Sequence, residues 1–180
     1  MRHILAAAAA ISLAVAAPAG ATLAVGAKAP DFTTRGAVAG KVVTVSLAQQ
    51  LKKGPVVLYF FPAAFTAGCN AEARAFAENV ANFRAAGATV IGMSADDLET
   101  LKRFSTEECR DRFAVGVATP QIVRAYDVAL QREGRDTGLT QRVSYVIDRS
   151  GRIAFVHSDA DYRDHVRLTL SAVRRLAAGD

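Results

Sequence analysis

The sequence is poor in cysteine: only Cys69 and Cys109 occur in 180 residues. Neither has the neighbour that several thiol chemistries need. Dithiol exchange normally takes Cys-x-x-Cys, and the segment here reads Cys69-Asn70-Ala71-Glu72. A Cys-x-x-x-Cys copper site is excluded in the same way, because position 73 is Ala73. Histidine is also sparse. His157 and His165 form no metal-ligand cluster and are expected as surface or sheet residues, so neither a metal nor a cofactor is implied. The 22 lysines and arginines exceed the 17 acids, for a net charge of +5. They are scattered and form no basic stripe with aromatic residues between, which argues against a nucleic-acid surface. Internal repeats are absent.

The one long apolar run lies at the N-terminus. Arg2 and His3 precede Ile4–Ala17, Pro18 breaks the run, and Ala19-Gly20-Ala21 follows. A basic end, a short apolar stretch and small residues form the layout of a secretory signal. The run falls short of the roughly 20 residues that a membrane span needs. Residues 1–21 are therefore expected to be a cleaved signal peptide and 22–180 the mature domain. This implies export, in a bacterium to the periplasm, with no membrane attachment after cleavage. In an oxidising compartment the two cysteines would have the chance to pair. A simple staple closing that loop would add about 4 kcal/mol in the chain-entropy model.

With 51% hydrophobic residues, the chain can build a proper core. Ala29-Pro30-Asp31-Phe32 reads as an extended entry and Lys41–Val45 as an edge strand. Ser46 suits the cap of a short helix through Leu51. Val56–Phe61 is a continuous apolar run between prolines, as in a strand buried on both faces. A helix over residues 68–86 carries Ala73, Phe76, Ala77, Val80 and Phe83 on one stripe. Thr89–Met93 is the next strand, and Ser94 or Asp96 is placed to cap a helix bearing Leu98, Leu101 and Phe104. Phe113–Val117 reads as a strand, Pro120–Tyr126 as a short helix and residues 131–141 as a polar loop. Val143–Ile147 and Ile153–Val156 form a hairpin about Asp148-Arg149-Ser150-Gly151. A last helix carries Val166, Leu170, Val173 and Leu176. Alternating strands and helices followed by a hairpin and a helix predict an α/β fold, a central mixed sheet flanked by helices.

Cys69 falls at the first turn of a helix, just after a buried strand. Free N–H groups and the positive end of the helix dipole point there and favour a thiolate. Ionisation alone gains little. Lowering a thiol pKa from 8.5 to about 6 raises the thiolate fraction at pH 7 about thirtyfold. Nucleophilicity falls roughly tenfold over the same shift. A fast reaction with peroxide therefore needs donors that stabilise the departing oxygen. Pro62 and Gly68 shape the strand-to-helix turn, and Thr66 stands three residues before the sulfur.

The segment Pro62-x-x-x-Thr66-x-x-Cys69 resembles the active-site motif of the peroxiredoxins. Ala29-Pro30-Asp31-Phe32, Val57-Leu58-Tyr59-Phe60-Phe61-Pro62, Ala88-Thr89-Val90-Ile91-Gly92-Met93-Ser94 and Arg142-Val143-Ser144-Tyr145-Val146-Ile147-Asp148 follow in family order. The resemblance covers about residues 26 to 175 and is nearest the bacterioferritin comigratory protein, or peroxiredoxin Q, type. It implies a thioredoxin-like fold and a thiol-specific peroxidase of hydrogen peroxide and organic hydroperoxides. Cys69 would be the peroxidatic cysteine, passing through a sulfenic acid. Thr66 would bond the peroxide and the sulfur, Pro62 would shield the site from water, and Arg142 would hold the thiolate. Glu72 would orient Arg142. Many members of the subgroup carry a resolving cysteine five residues after the first, where this chain has Arg74. Others carry it in the helix after the next strand, the region of Cys109. The resemblance thus implies an intramolecular Cys69–Cys109 disulfide, with a single-cysteine mechanism as the fallback. It also implies recycling by a thioredoxin-like protein or a small thiol, and a monomer or weak dimer. The alternative is a thiol–disulfide oxidoreductase or redox-binding module of the cell envelope.

Overall fold

The computed structural model describes residues 22–179, so the expected signal peptide lies outside the described residues. Seven strands form one mixed sheet: β1 (Thr33–Val38), β2 (Lys41–Ser46), β3 (Val56–Phe60), β4 (Thr89–Ser94), β5 (Ala114–Val117), β8 (Val143–Ile147) and β9 (Ile153–Ser158). Their order is β2-β1-β5-β4-β3-β8-β9. β3 runs parallel to β4, and β4 to β5; the other pairs are antiparallel. The helices are α1 (Leu47–Leu51), α2 (Ala67–Ala85), α3 (Leu98–Glu107), α4 (Pro120–Ala125) and α5 (His165–Ala178). This is the expected mixed sheet flanked by helices.

Period-two alternation along β3 divides the core in two. Val57, Tyr59 and Phe61 face a cluster containing Ala73, Phe76, Val80 and Phe83 of α2, Leu101 and Phe104 of α3, and Val166, Leu170 and Val173 of α5. Val56, Leu58 and Phe60 face the opposite cluster, with Phe32, Leu47 and Ile122, Val123 and Tyr126 at α4. β3 is buried along its whole length, as its unbroken apolar run predicts.

Two expectations are corrected, and one strand, β1, carries no signature in the sequence. Its inward residues include Thr34 and Gly36, so the strand carries no apolar alternation. Residues 131–141 are not simply a loop, because β6 (Ala129–Arg132) and β7 (Arg135–Thr140) pair as a small hairpin. Glu133 and Gly134 turn it with positive φ of 51° and 73°. The hairpin is solvated almost throughout and so shows no hydrophobic period. The cap of α3 is neither Ser94 nor Asp96 but Asp97, which accepts from Thr100 N at 2.9 Å. Asp96 is engaged elsewhere, as described below. The cap at Ser46 is as expected, accepting from Gln49 N.

Candidate active site

The sheet register explains how distant residues meet. β3 and β8 pair antiparallel with Phe60 opposite Val143. The end of β3, which leads into the 61–66 loop and α2, therefore lies beside the residue that precedes β8, Arg142. Thr66 occupies the N-cap position of α2, with φ −87° and ψ 149°. Cys69 is the third helical residue, within the turn whose N–H groups lack intrahelical acceptors. Asn70 N makes the first helical bond, to Thr66 O at 2.9 Å.

Arg142 is 8% exposed and spreads its guanidinium over three acceptors. Nη2 stands 3.5 Å from Cys69 Sγ. Nη1 donates to Glu72 Oε2. Nε donates to Ala160 O at 2.9 Å. Glu72 follows Cys69 by three helical positions, which puts both side chains on one face of α2. Burial pushes the Glu72 carboxyl up to about 8, against the pull of Arg142. Burial works to lower Arg142, but the charges of Glu72 and Cys69 hold its guanidinium above the ordinary range.

Behind this pair lies a group that the sequence reading misplaced. His165 is not a surface or sheet residue; it begins α5 and is fully buried. Its Nε2 lies 3.1 Å from Asp159 O, and a carbonyl only accepts, so Nε2 carries the proton. Nδ1 then accepts from Ser144 Oγ at 2.8 Å. Burial pulls the imidazole down to about 4, so it is neutral at pH 7. Nδ1 also faces Glu72 Oε1 at 3.6 Å. His157 does lie in β9, with its ring 4.5 Å from that of His165.

The loop before α2 is held from two sides. Asp96 Oδ2 accepts from Ala64 N at 2.7 Å and from Ser94 Oγ. Phe65 packs edge-on against Phe104 of α3, and Arg103 lies over the Phe65 ring. Phe65 has φ +63°, a left-handed conformation that a bulky residue holds only when its surroundings fix it. Thr66 Oγ1 donates to Ala63 O at 3.0 Å and stays exposed, leaving its lone pairs free. Pro62 is half-buried in the same loop. Gly68 permits close approach, because a Cβ there would stand 3.3 Å from Arg142 Nη2 and 3.8 Å from the Tyr162 ring.

Cys69, Thr66, Gly68, Pro62, Glu72 and Arg142 thus gather at one end of β3. Cys109 is not bonded to Cys69, though it shares a core cluster with it. It sits in the turn after α3, fully buried, and both cysteines are free. Burial, with the charges of Glu108 and Asp111, pushes the Cys109 thiol well up. From sequence, Ser144 and Tyr162 carry no site role, while Asp96 is expected as a helix cap and His165 as a surface or sheet residue. Each is an ordinary polar or aromatic residue until the register places it. Among the described residues no three His, Cys, Asp or Glu side chains converge as metal ligands.

Fold and site define a thioredoxin-like α/β protein with a thiol at a helix N-terminus, beside a buried arginine hydrogen-bonded to a carboxyl. The chain belongs to the AhpC/TSA family, whose model matches residues 25–156. It is 31% identical over 152 residues to a chloroplastic peroxiredoxin Q of Oryza sativa subsp. japonica. That match covers 84% of this chain and 67% of the relative. It is 28% identical over 124 residues to peroxiredoxin Bcp of Escherichia coli K12, covering 68% of this chain and 80% of the relative. The crystal structure of peroxidoxin BcpB from Mycobacterium tuberculosis superposes with a TM-score of 0.74 at 26% identity, covering 84% of this chain and 97% of that one. Xanthomonas campestris peroxiredoxin Q has the same fold, with a TM-score of 0.69 at 21% identity over 79% of this chain and 90% of that one.

Proposed function

We propose that the protein is a thiol peroxidase in which Cys69 reduces hydrogen peroxide and organic hydroperoxides. The observation that carries this reading is the Arg142 guanidinium 3.5 Å from Cys69 Sγ, at the first turn of α2. The Cys69 thiolate attacks the terminal peroxide oxygen. An S–O bond forms, the O–O bond breaks, and the leaving alkoxide or hydroxide takes a proton to become alcohol or water. Arg142 and the first-turn N–H groups face the place where negative charge moves from sulfur to oxygen. Thr66 keeps lone pairs free to accept the peroxide O–H. Pro62 keeps water from the sulfur.

The sulfenic acid is then resolved by Cys109. Its thiolate attacks Cys69 sulfur, the S–S bond forms as the S–O bond breaks, and the departing hydroxide takes the proton that the Cys109 thiol gave up and leaves as water. An external thiol, protein or small, returns the disulfide to two thiols. The N-terminal layout of Arg2, His3, Ile4–Ala17 and Ala19-Gly20-Ala21 supports export with cleavage after Ala21. Residues 22–180 would then act outside the cytoplasm, where the reductant must also be found.

Stopped-flow mixing of the reduced protein with hydrogen peroxide tests the first step. A fast, concentration-dependent phase that Cys69→Ser abolishes is expected; its absence in the parent protein refutes the peroxidase reading. Mass spectrometry after one equivalent of peroxide should show an intramolecular disulfide, and a persistent sulfenic acid in Cys109→Ser. If Cys109→Ser recycles at the parent rate, the resolving role fails.

A further inference from the structure

Both sulfurs are buried, Cys69 at 1% and Cys109 at 0% exposure, and they are unbonded. They share one core cluster, and because they are unbonded at least one must move for a disulfide to form. The Cys109 segment is tied down in a particular way. Arg74, on α2, pairs with Glu108: Nη2 donates to Oε1 at 3.0 Å, and Nε stands 2.6 Å from Oε2. One helical turn further, Glu78 meets Arg110 at 3.2 Å. Further still, Arg84 Nη2 donates to Arg112 O at 3.1 Å. Three residues of α2 thus hold alternate residues of the turn, 108, 110 and 112, around Cys109. Arg110 and Asp111 within that turn have positive φ of 50° and 59°. Neither is glycine, so the turn is strained and depends on its attachments.

The three ties are unequal. Glu78 and Arg110 are both more than half exposed, and such pairs contribute little. Glu108 is different, with its side chain only 7% exposed against a half-exposed Arg74. A buried carboxylate that loses its cationic partner is strongly disfavoured.

We propose that the Arg74–Glu108 pair is a clasp that positions Cys109 and sets the rate at which it resolves oxidised Cys69. This rests on the resolving reading given above. With the clasp shut, Cys109 stays buried in the core cluster with Tyr59 and Phe104 while Cys69 meets peroxide. With it open, the turn swings out and the thiol meets the sulfenic acid. Arg74 stands at the position where many relatives of the subgroup would have the resolving cysteine itself. Here that position governs access to the other cysteine. A slow clasp also prolongs the life of the sulfenic acid. A second peroxide can then oxidise it to a sulfinic acid, with the peroxide reduced to alcohol or water.

The test separates the two phases of peroxide oxidation by stopped flow, in Arg74→Ala, Glu108→Gln, Arg74→Lys and the double variant Arg74→Ala/Glu108→Gln. The first phase should stay within about twofold of the parent. The second, disulfide-forming phase should quicken about tenfold in either single variant, the effect of removing one charge-assisted contact from the closed state. Arg74→Lys, which keeps the charge but loses the fork, should fall between. The double variant should be no faster than the singles, because both remove the same contact. Sulfinic acid at excess peroxide should fall in parallel, as read by mass spectrometry. A second phase that is unchanged or slower in both singles overturns the clasp, as do accelerations that multiply in the double variant. Cys109→Ser distinguishes the two levels. If the second phase disappears in that variant but ignores Arg74 and Glu108, the clasp alone is wrong. If it persists in Cys109→Ser, the resolving reading is wrong and the clasp falls with it.

Discussion

Arg142 divides one planar guanidinium among a sulfur, a carboxylate and a carbonyl, and few other side chains have the geometry to do so. Arg142→Lys keeps a positive charge but cannot serve all three. The second-order rate of Cys69 with peroxide should drop about 10² to 10³-fold, the usual effect of losing a preorganised donor, measured by stopped flow. Circular dichroism should show the fold retained. His165, one layer behind, gives a pH signature. It faces Glu72, Arg142, His157 and the carbonyl of Asp159. Its folded pKa of about 4 lies below the ordinary 6.5. The unfolded chain therefore binds the extra proton first. Stability from neutral His165 is full above pH 6.5 and is lost as pH falls toward 4, by at most about 3 kcal/mol. Glu72, whose carboxyl burial pushes up, acts oppositely: its stabilisation is full below the ordinary carboxylate range and is lost as pH rises from there toward its folded value. Denaturant titrations in a Glu72→Gln background remove that limb. There, His165→Gln should flatten the loss between pH 6.5 and 4; an unchanged slope refutes the assignment. Of this site, Cys69, Thr66 and Arg142 were legible because a motif and its order along the chain mark them. His165 and Ser144 were not, since nothing local distinguishes a buried imidazole at a helix start from a solvated one.

Elements differ in how far their residues announce them. β3 was legible from six consecutive apolar residues and α2 from its stripe, because each buries what its period displays. β1 was not, because what it buries is backbone. Gly36 lies opposite Gly116 in β5, and the two strands approach so closely that a Cβ at 36 would stand 2.4 Å from Val115 O and 2.8 Å from Val45 Cγ2. The backbone oxygen cannot rotate away as a side chain can. Gly36→Ala should therefore destabilise the protein by about 1–3 kcal/mol, the range for forced overpacking. Denaturant unfolding measures this. The rate with peroxide should change little, because β1 lies four strands from β8. A neutral Gly36→Ala would mean that the β1–β5 joint is looser than its register implies.

At the scale of the whole molecule, the sheet and its rim have different duties in the proposed cycle. β3, β4 and β8 are buried on both faces and stay fixed, setting where Arg142 meets α2. The parts that must yield lie at the rim: the 61–66 loop with its strained Phe65, the first turn of α2, and the turn after α3. They are mechanically linked, since Phe65 packs on Phe104 and Phe104 O accepts from both Glu108 N and Cys109 N at 3.0 Å. Drawing Cys109 outward pulls on α3, and α3 holds the loop that precedes Cys69. Oxidation should therefore loosen two stretches together and leave the sheet unchanged. Hydrogen exchange of peroxide-treated protein against the reduced form should show faster exchange over residues 64–72 and 104–113, with β3, β4 and β8 unchanged. The change should vanish in Cys109→Ser, where no intramolecular disulfide forms. Faster exchange across the sheet would mean that the disulfide strains the whole domain, and no change at the rim would mean that the two sulfurs meet without the opening their burial demands.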